Sequence, residues 1–386
     1  MARAKRRISA PKPSVPAPSA RVDLGSLRTR IDAMDRQLVE LLNARSQLVV
    51  EVGKYKRANN IPIYAPHREA DVLKRVLGSN AGPLSNRTIE GIYREIMSGS
   101  FALEKPLAIG FLGPRGSYSH LAAVRHFGSS VEFEDLHEIA GVFTEVQRGH
   151  VDYGMVPIEN SIHGSVTETL DSFAAAHGHI HVYAEVQMEV HHALLANCPP
   201  SRVKRIYSKP EVFSQCRAWL ATQYPRAEQV PVASSSRAVQ MVAEESTKPE
   251  AERTSAAIGS TLAAELYGVN ILFQKIEDHP HNLTRFYVIS RTSAQRSGDD
   301  KTSIMFTTLN KPGALVKVLG DFHAARVNLT HIDKRPSGRS NWTYTFFIDA
   351  EGHQTDKPVM KAIAAARKHC RELLVLGSYP RSRRIL

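Results

Sequence analysis

The stretch LAIGFLGPRGSYSHLAAVRHF, residues 107–127, decides the fold of the middle of the chain. A short apolar run ends in a glycine-containing polar loop, and a segment with apolar residues at helical spacing follows. The same alternation of apolar run and polar loop recurs at VDYGMVPIEN, residues 151–160. Short strands that alternate with helices are typical of an α/β sheet, in which ligands collect at the loops after the strands. The sequence therefore predicts an α/β module that begins near residue 106.

A helical module precedes this α/β module. From Leu24 to Lys56 the chain has no proline, and its apolar residues recur at the spacing of one helix face. Two further helices are predicted, one over residues 67–77 and one from a capping Ser85 to residue 103. The first helix would span about 50 Å, which is more than one small domain covers. We therefore expect an antiparallel partner protomer to pack along it.

The C-terminal part of the chain follows a polar linker at residues 291–300. Periodicity predicts strands at 301–309, 328–334, 342–349 and 372–379, with helices at 312–325 and 356–368. This βαββαβ order is that of a ferredoxin-like α+β fold. Pro312 is a favourable first residue for the first of these helices. Because the fold hosts many functions, its topology alone does not decide one.

The net charge of +12 in 386 residues lies mostly at the two ends. Residues 1–22 and 378–386 contain nine basic residues and no acidic one, so the folded body is nearly neutral. This distribution argues against nucleic acid as a partner, and the Pro/Ala/Ser-rich residues 1–22 are predicted to be disordered. No apolar run has the length of a membrane span. Three separated cysteines indicate free thiols in a reducing compartment, and hence a cytoplasmic protein.

Polar side chains fall inside the apolar stripes of the helical module. Arg45 and Lys56 are eleven residues apart and nearly eclipsed on the first helix, and Ser100 and Glu104 extend the stripe of the third. Basic side chains in an apolar stripe are costly unless they meet an anion. Arg28 lies about 80° around the first helix from Lys56 and therefore faces a different neighbour.

These residues belong to LRTRIDAMDRQLVELLNARSQLVVEVGKYK (27–56), HRE (67–69) and REIMSGSFALE (94–104). Over residues 23–105 the pattern resembles the all-helical, dimeric chorismate mutase domain. The resemblance implies a substrate-binding set that consists of Arg28, Arg45, Lys56, Arg68, Glu69, Ser100 and Glu104. Within this set, Arg28 would reach into the site of the partner protomer. Ala65 stands where that family often has aspartate, so contact with the substrate hydroxyl rests on Glu69.

The residue types suit the mutase reaction. Chorismate carries two carboxylates, which planar arginine forks bind well. Its rearrangement needs no nucleophile, so catalysis consists of holding the reactive conformation and stabilising charge on the ether oxygen. The resemblance implies that Lys56 and Glu104 donate to this oxygen from two sides. Glu104 donates only when it is protonated, so mutase activity is expected to decline as the pH rises.

Four separated motifs of the α/β module resemble prephenate dehydratase over residues 106–292: FLGPRGSYSH (111–120), VPIENS (156–161), YSKPEVFSQC (207–216) and Thr284-Arg285-Phe286. The resemblance implies two lobes around a cleft, with the chain crossing near residue 186 and returning near 275. It also implies that Thr284 is the catalytic hydroxyl that assists the loss of water. The other implied cleft residues are Asn160, Ser161, Ser208, Gln215, Arg285 and Phe286. For Arg285 two possibilities remain, because strand alternation would turn it outward instead of toward a substrate carboxylate.

The C-terminal segment, residues 300–380, resembles an ACT amino-acid-binding domain of the kind attached to prephenate dehydratases. Gly313-Ala314-Leu315-Val316 matches the GALV motif of that family, where phenylalanine would bind at a domain–domain interface. Asp333, Arg335 and Pro336 belong to the second motif, which reads DKRP here and usually ESRP. We therefore expect feedback inhibition by phenylalanine with an altered second motif. A purely structural ACT domain is the alternative.

Together the three resemblances predict a cytoplasmic bifunctional enzyme of phenylalanine biosynthesis. It would rearrange chorismate to prephenate, then dehydrate and decarboxylate prephenate to phenylpyruvate. Neither reaction requires a metal or an organic cofactor, and a homodimer is the smallest assembly expected. One alternative is a monofunctional prephenate or arogenate dehydratase whose helical module only dimerises. Another is a non-catalytic phenylalanine-responsive binding protein, with basic ends that touch nucleic acid.

Overall fold

Three modules follow one another in the computed structural model, which describes residues 23–59, 61–336 and 343–386. The first module is helical and consists of α1 (Leu24–Ala58), α2 (Pro66–Gly78) and α3 (Asn86–Glu104). The side chains of Asp23 and Ser85 accept hydrogen bonds from the first free amides of α1 and α3, as N-cap residues do. The three predicted helices are therefore confirmed, each within two residues of its expected bounds. The predicted disordered segment 1–22 lies outside the described residues.

Helices α1 and α3 approach each other closely at Gly53. A Cβ atom on Gly53 would lie 3.0 Å from the Cα atom of Glu104, so a larger residue would push the two helices apart. Most of the remaining length of α1 is uncovered in the single chain. Leu38, Leu41 and Leu48 are 56%, 68% and 65% exposed. The apolar face of α1 thus has no cover within the described part of the same chain.

The second module is the α/β unit. Its elements in chain order are β1 (Ala108–Leu112), α4 (Tyr118–Phe127), β2 (Glu132–Leu136), α5 (Ile139–Arg148), β3 (Tyr153–Asn160), β4 (Gly164–Ser165), α6 (Thr167–Ala175), β5 (His181–Glu189), β6 (Ala193–Leu195), β7 (Arg205–Ser208), α7 (Pro210–Gln215), α8 (Arg217–Gln223), β8 (Glu228–Pro231), α9 (Ser235–Glu245), β9 (Ser255–Gly259), α10 (Thr261–Tyr267), β10 (Ile271–Gln274) and β11 (Leu283–Ser290). Strands alternate with helices over most of this length, as the sequence predicts.

These elements form two lobes, each with its own sheet. The first sheet has the order β2-β1-β3-β11-β5, and the second has the order β10-β6-β9-β7-β8. The chain enters the second lobe at residues 190–192 and returns at 275–282. The two-lobed fold is confirmed, with the crossing a few residues later than expected because β5 continues to Glu189. Strand β11 pairs with β3 so that Thr284 lies opposite Asn160.

The third module contains β12 (Asp300–Thr308), α11 (Ala314–Ala324), β13 (Leu329–Pro336), β14 (Tyr344–Glu351), α12 (Lys357–Ala366) and β15 (Cys370–Pro380). Its antiparallel sheet has the order β13-β14-β12-β15, which confirms the ferredoxin-like fold. Helix α11 begins at Ala314 and not at Pro312, because Gly313 occupies the N-cap with a φ of 77°. The predicted strand start at Trp342 lies outside the described residues.

One apolar core connects the three modules. Tyr64 of the helical module is fully buried and packs edge-on against Tyr153 of the first lobe. Tyr379 of β15 belongs to the same core from the C-terminal side. Strand β15 can lie directly against β5 because residue 377 is glycine, and a Cβ atom on Gly377 would overlap the carbonyl oxygen of Val182. Close packing, and not only covalent linkage, therefore holds the modules together.

Residues 381–386 run back from β15 toward the other two modules. Ile385 forms a parallel bridge with Gln187 of β5, and the amide of Leu386 donates to the Gln187 carbonyl at 2.8 Å. Arg384 Nε lies 2.6 Å from Glu90 Oε1 on α3. This segment therefore joins the C-terminal module to both the first lobe and the helical module.

Candidate active sites

Four of the predicted mutase residues meet where α1 packs on α3. Arg45 Nη1 donates to Ser100 Oγ at 2.8 Å, and Lys56 Nζ lies 2.8 Å from Glu104 Oε2. Lys56 Nζ also donates to the Ile63 carbonyl at 2.9 Å, and Glu104 is only 7% exposed. Two cationic groups, a hydroxyl and a carboxylate thus share one seam between two helices. We refer to Arg45, Lys56, Ser100 and Glu104 as the mutase seam.

Two more predicted residues, Arg68 and Glu69, lie near the start of α2. Glu69 is buried, and its Oε2 accepts a hydrogen bond from Arg94 Nη1 at 2.9 Å. Burial raises the pKa of Glu69, and the charge of Arg94 opposes that rise. Glu69 Oε1 has no hydrogen-bond partner within the described ranges, so it can accept from a ligand hydroxyl. Arg68 is exposed. Sequence reasoning missed Arg94, although it begins the quoted motif at 94–104.

Arg28 does not join the seam of its own chain. It is exposed and precedes Arg45 by seventeen residues on one continuous helix. At 1.5 Å per residue, the two arginines are about 25 Å apart along the axis. If Arg28 contacts a substrate bound at a mutase seam, that seam must belong to another copy of the chain.

The dehydratase candidates converge at the ends of β3 and β11. Asn160 Nδ2 donates to Thr284 Oγ1 at 2.9 Å and to Asn282 Oδ1 at 2.7 Å. The backbone amides of Ile162 and His163 donate to Asn160 Oδ1, which fixes the direction of the Asn160 amide. Since Thr284 Oγ1 accepts a hydrogen bond from Asn160, its own O–H proton remains for a ligand.

Gln215 connects the hydrogen-bonded pair Asn160 and Thr284 to three side chains that the sequence analysis did not identify. Its Oε1 lies 2.5 Å from His192 Nε2 and accepts from Asn282 Nδ2 at 3.3 Å. Its Nε2 lies 2.8 Å from His163 Nε2, so this contact joins α7 of the second lobe to the turn after β3 of the first. His163 and Asn282 each lie within two residues of a quoted motif, which is the signal that could have found them. His192 lies in the connection between the lobes, outside the quoted motifs.

The other cleft candidates have backbone or core contacts. Ser161 exchanges hydrogen bonds with the backbone of the loop that precedes Thr284, and so borders the site. Ser208 is buried, and its Oγ donates to the Ile258 carbonyl at 2.9 Å. Phe286 is 1% exposed and lies in the core of the first lobe. The hydrogen bonds around Thr284 do not reach the side chains of Ser208 and Phe286.

Arg285 points away from the hydrogen bonds around Thr284 and pairs with carboxylates instead. Its guanidinium lies 3.1 Å from the carboxylates of Glu159 and Glu185, and it also pairs with Asp349 of the C-terminal module. Successive residues of a strand point to opposite faces of the sheet. Because Thr284 points toward the cleft, its neighbour points toward the C-terminal module. The outward possibility for Arg285 is the one that the structure supports.

In the C-terminal module, the predicted phenylalanine-binding motif Gly313-Ala314-Leu315-Val316 lines a cavity of about 190 Å³ between the end of β12 and β14. The second motif lies elsewhere, on β13. Arg335 donates through Nε and Nη2 to Asp171 of α6, at 2.9 and 2.6 Å. Asp333 accepts from the amide of Lys334. Neither Asp333, Arg335 nor Pro336 lines this cavity, so one chain does not bring the two motifs together.

Within the described ranges, no three histidine, cysteine, aspartate or glutamate side chains come together as metal ligands would. The same part of the chain contains no helix that is both long enough and apolar enough to cross a membrane.

The fold and the sites together define a multidomain enzyme with a separate ligand-binding module. Family models match the three modules in order: chorismate mutase type II at residues 27–105, prephenate dehydratase at 109–294 and the ACT domain at 302–368. The bifunctional chorismate mutase/prephenate dehydratases of Stutzerimonas stutzeri and Aquifex aeolicus are 42% and 36% identical to this chain. Each alignment covers 93% of this chain and 98% of the relative. The chain therefore belongs to the family of bifunctional chorismate mutase/prephenate dehydratases.

Solved structures share the fold of the second and third modules. A prephenate dehydratase from Arthrobacter aurescens in complex with L-Phe is 32% identical, with a TM-score of 0.65 over 71% of this chain and 90% of the other. GqqA, described as a novel type of quorum quenching acylase, has the same TM-score at 28% identity, over 72% of this chain and 98% of the other. Because proteins with different named activities share this fold, the site residues decide the activity.

Proposed function

We propose that this chain converts chorismate to prephenate at the mutase seam and prephenate to phenylpyruvate at the cleft that contains Thr284. The observation that carries the proposal is that one chain assembles both groups of side chains. Arg45 with Ser100 and Lys56 with Glu104 form the first group, and Thr284 belongs to the second. A helical module that only dimerised would not need two half-buried cations beside a buried carboxylate.

The mutase step uses these side chains to bind and to stabilise charge. Arg45 offers a planar fork to a substrate carboxylate, and Glu69 Oε1 accepts from the ring hydroxyl. The side chains of Lys56 and Glu104 lie 2.8 Å apart in the unliganded chain. With substrate bound, each donates a hydrogen bond to the ether oxygen. As the C–O bond breaks, negative charge grows on that oxygen, and both donors stabilise it more strongly than in the ground state.

Glu104→Gln is expected to flatten the pH dependence of the mutase reaction. A carboxyl group donates a hydrogen bond only when it is protonated, whereas an amide donates at every pH. Mutase kcat of the parent protein should therefore fall with rising pH, and that of the variant should not. Glu228→Gln, an exposed position in the second lobe, serves as the matched control. An unchanged profile in the Glu104 variant would remove Glu104 from the catalytic group.

The assembly that we propose is a homodimer, or a larger homo-oligomer built from such dimers, in which α1 of a second copy covers α1. Leu38, Leu41 and Leu48 are largely exposed in the single chain, and a partner helix would bury them. The position of Arg28, about 25 Å along α1 from Arg45, supports the same arrangement. An antiparallel partner would bring its own Arg28 toward the seam of the first copy.

A mixed dimer tests this shared site. Arg28→Ala and Arg45→Ala should each abolish most mutase activity when assayed alone. After subunit exchange, a dimer with one copy of each variant contains one seam with both arginines intact. About one quarter of the activity should therefore return if the copies mix at random. A mixture that stays inactive, although exchange is shown by mass spectrometry, contradicts the contribution of Arg28 in trans.

The dehydratase step that we propose uses Thr284 as a proton donor. The Thr284 O–H proton passes to the ring hydroxyl as that group leaves as water, and the electrons of the bond to the ring carboxylate move into the ring as carbon dioxide departs. Aromatisation supplies most of the driving force. Thr284 then regains its proton from solvent. Asn160, which donates to Thr284 Oγ1 at 2.9 Å, keeps the hydroxyl turned toward the substrate.

Phenylalanine is the effector that we propose for the third module, and the cytoplasm is the proposed location. The cavity beside Gly313 would hold the amino acid, and a second copy of the module would bring the motif at Asp333–Pro336 to it. Arg335 is one route by which binding reaches the catalytic module, because it already contacts Asp171 of α6. Cys198 and Cys216 are free and buried, as expected for thiols in a reducing compartment.

One assay tests these proposals together. Purified protein is given chorismate, and prephenate and phenylpyruvate are followed with and without phenylalanine. We expect both products in sequence and less phenylpyruvate when phenylalanine is present. Formation of phenylpyruvate from added prephenate but not from chorismate would favour the monofunctional alternative, and comparison with arogenate decides the preferred substrate. No turnover of either compound would leave only the non-catalytic alternative.

A further inference from the structure

A chain of short hydrogen bonds runs from the connection between the lobes into the cleft. Tyr118 OH lies 2.6 Å from His192 Nδ1, and His192 Nε2 lies 2.5 Å from Gln215 Oε1. The Gln215 amide nitrogen then lies 2.8 Å from His163 Nε2 on the other side of the cleft. His192 is 1% exposed, so water does not compete for its two nitrogen atoms.

The partners of Gln215 identify which end of its amide is the oxygen. Asn282 Nδ2 donates to the same Gln215 atom that faces His192, and only an oxygen can accept from it. His192 Nε2 must therefore carry a proton and donate to that oxygen as well. In a neutral imidazole the other nitrogen, Nδ1, is then an acceptor. The hydroxyl of Tyr118 lies 2.6 Å from this nitrogen and 3.1 Å from the His191 carbonyl, and the shorter contact suits donation to Nδ1.

The surroundings of His192 favour the neutral ring. Burial lowers the pKa of His192, while the hydrogen bond to Gln215 and the charge of Glu277 oppose this. Glu277 already accepts from the backbone amide of His192 and lies 2.7 Å from His191 Nδ1, so its carboxylate has two partners of its own. Tyr118 faces the remaining side of the ring, and burial raises the pKa of its hydroxyl, which therefore stays protonated.

We propose that His192 is a positioning residue of the dehydratase reaction, which holds the Gln215 amide with its oxygen toward the lobe connection and its NH2 group toward the substrate. One N–H of Gln215 meets His163, and we assign the second to an oxygen of prephenate. If the amide were reversed, Gln215 would present an oxygen to an anionic substrate and repel it. The inference deepens the proposed function and rests on its assignment of the cleft around Thr284 to prephenate.

Four proteins and one double variant test this role in the full-length chain: the parent, His192→Phe, His192→Gln, Gln215→Ala and the combination of His192→Phe with Gln215→Ala. His192→Phe keeps a ring in the site but cannot donate to Gln215, and dehydratase kcat/KM should fall on the order of tenfold to a hundredfold. His192→Gln retains a donor near the position of Nε2 and should recover most of this loss. In the Gln215→Ala background the His192→Phe substitution should have little further effect, because both act through one amide.

Mutase activity of the same preparations reports whether the chain is folded, and it should not change. A His192→Phe protein with parental dehydratase activity overturns the proposal, and so do losses that add fully in the double variant. If His192→Phe does not fold, the ¹⁵N NMR shifts of His192 and the activity of His192→Gln decide. An Nε2-protonated neutral ring supports the assignment, and an Nδ1-protonated ring overturns it. Failure of the proposed function is distinct, because the parent protein would then not turn over prephenate at all.

Discussion

Thr284→Ala is expected to lower dehydratase kcat by about two to three orders of magnitude while mutase activity stays at the parental level. The size follows from the contribution that a positioned proton donor usually makes to a rate. Thr284 is 9% exposed, and its Oγ1 already accepts a hydrogen bond from Asn160. Alanine therefore removes the proton donor and leaves Asn160 without this acceptor. KM for prephenate should change less than kcat, since the hydroxyl acts mainly in the transition state.

Thr284→Ser provides the matched control for this prediction. Serine keeps the hydroxyl and loses only a methyl group, so it should retain a substantial part of kcat. Initial rates of phenylpyruvate formation from prephenate and of prephenate formation from chorismate give both activities on one sample. Near-parental dehydratase turnover in Thr284→Ala would contradict the catalytic role. A matching loss of mutase activity would instead point to a general failure of folding.

Arg285→Met should destabilise the protein by about 3–5 kcal/mol at neutral pH. The guanidinium is the shared partner of Glu159, Glu185 and Asp349, and the last two carboxylates are buried. Lys301 still pairs with Glu185 at 2.8 Å in the variant. Asp349 is therefore the buried carboxylate that loses its cationic partner. Urea unfolding followed by fluorescence and circular dichroism measures the change. Arg226→Met, an exposed arginine of the second lobe, should shift the midpoint very little.

The loss in Arg285→Met should also depend on pH. Burial alone would raise the pKa of Asp349, but Arg285 and the hydrogen bond from Ser303 outweigh this and hold it below its usual value. In the parent protein, Asp349 therefore stabilises the fold above the pKa that it has when unfolded, and this contribution is lost as the pH falls. Without Arg285 its folded pKa should rise, so that acid favours the folded variant. The difference between the two proteins should therefore shrink as the pH falls from neutrality. A difference that stays constant with pH would contradict this account of Asp349.

The sequence predicted the three modules because their periodicities differ and each run of elements is long. The residues of the mutase seam could also be predicted from the sequence, because they are polar residues within apolar stripes: Arg45, Lys56, Ser100 and Glu104. The structure adds the pairing, Arg45 with Ser100 and Lys56 with Glu104. Which helix packs on which could not be read from periodicity alone.

Other parts of the site depend on contacts that no local pattern records. Arg285 follows Thr284 in one motif, yet its direction depends on strand pairing and on a C-terminal module that supplies Asp349. His192 lies in the connection between the lobes, and its partner Gln215 is 23 residues later in the chain, in the second lobe. Nothing in the local sequence distinguishes Arg94 from other charged residues on α3, and only its contact with Glu69 marks it as part of the site. In each case the deciding neighbour is distant in sequence.

Residues 381–386 bring the first and third modules into contact, although these modules are the farthest apart along the chain. Connectivity alone would give a linear array in which the first and third modules never meet. Arg384 beside Glu90, and Ile385 beside Gln187, close that array into a loop of mutual contacts. A displacement at any one boundary must then be accommodated at the other two, so a movement of the last module has a direct mechanical route to the first.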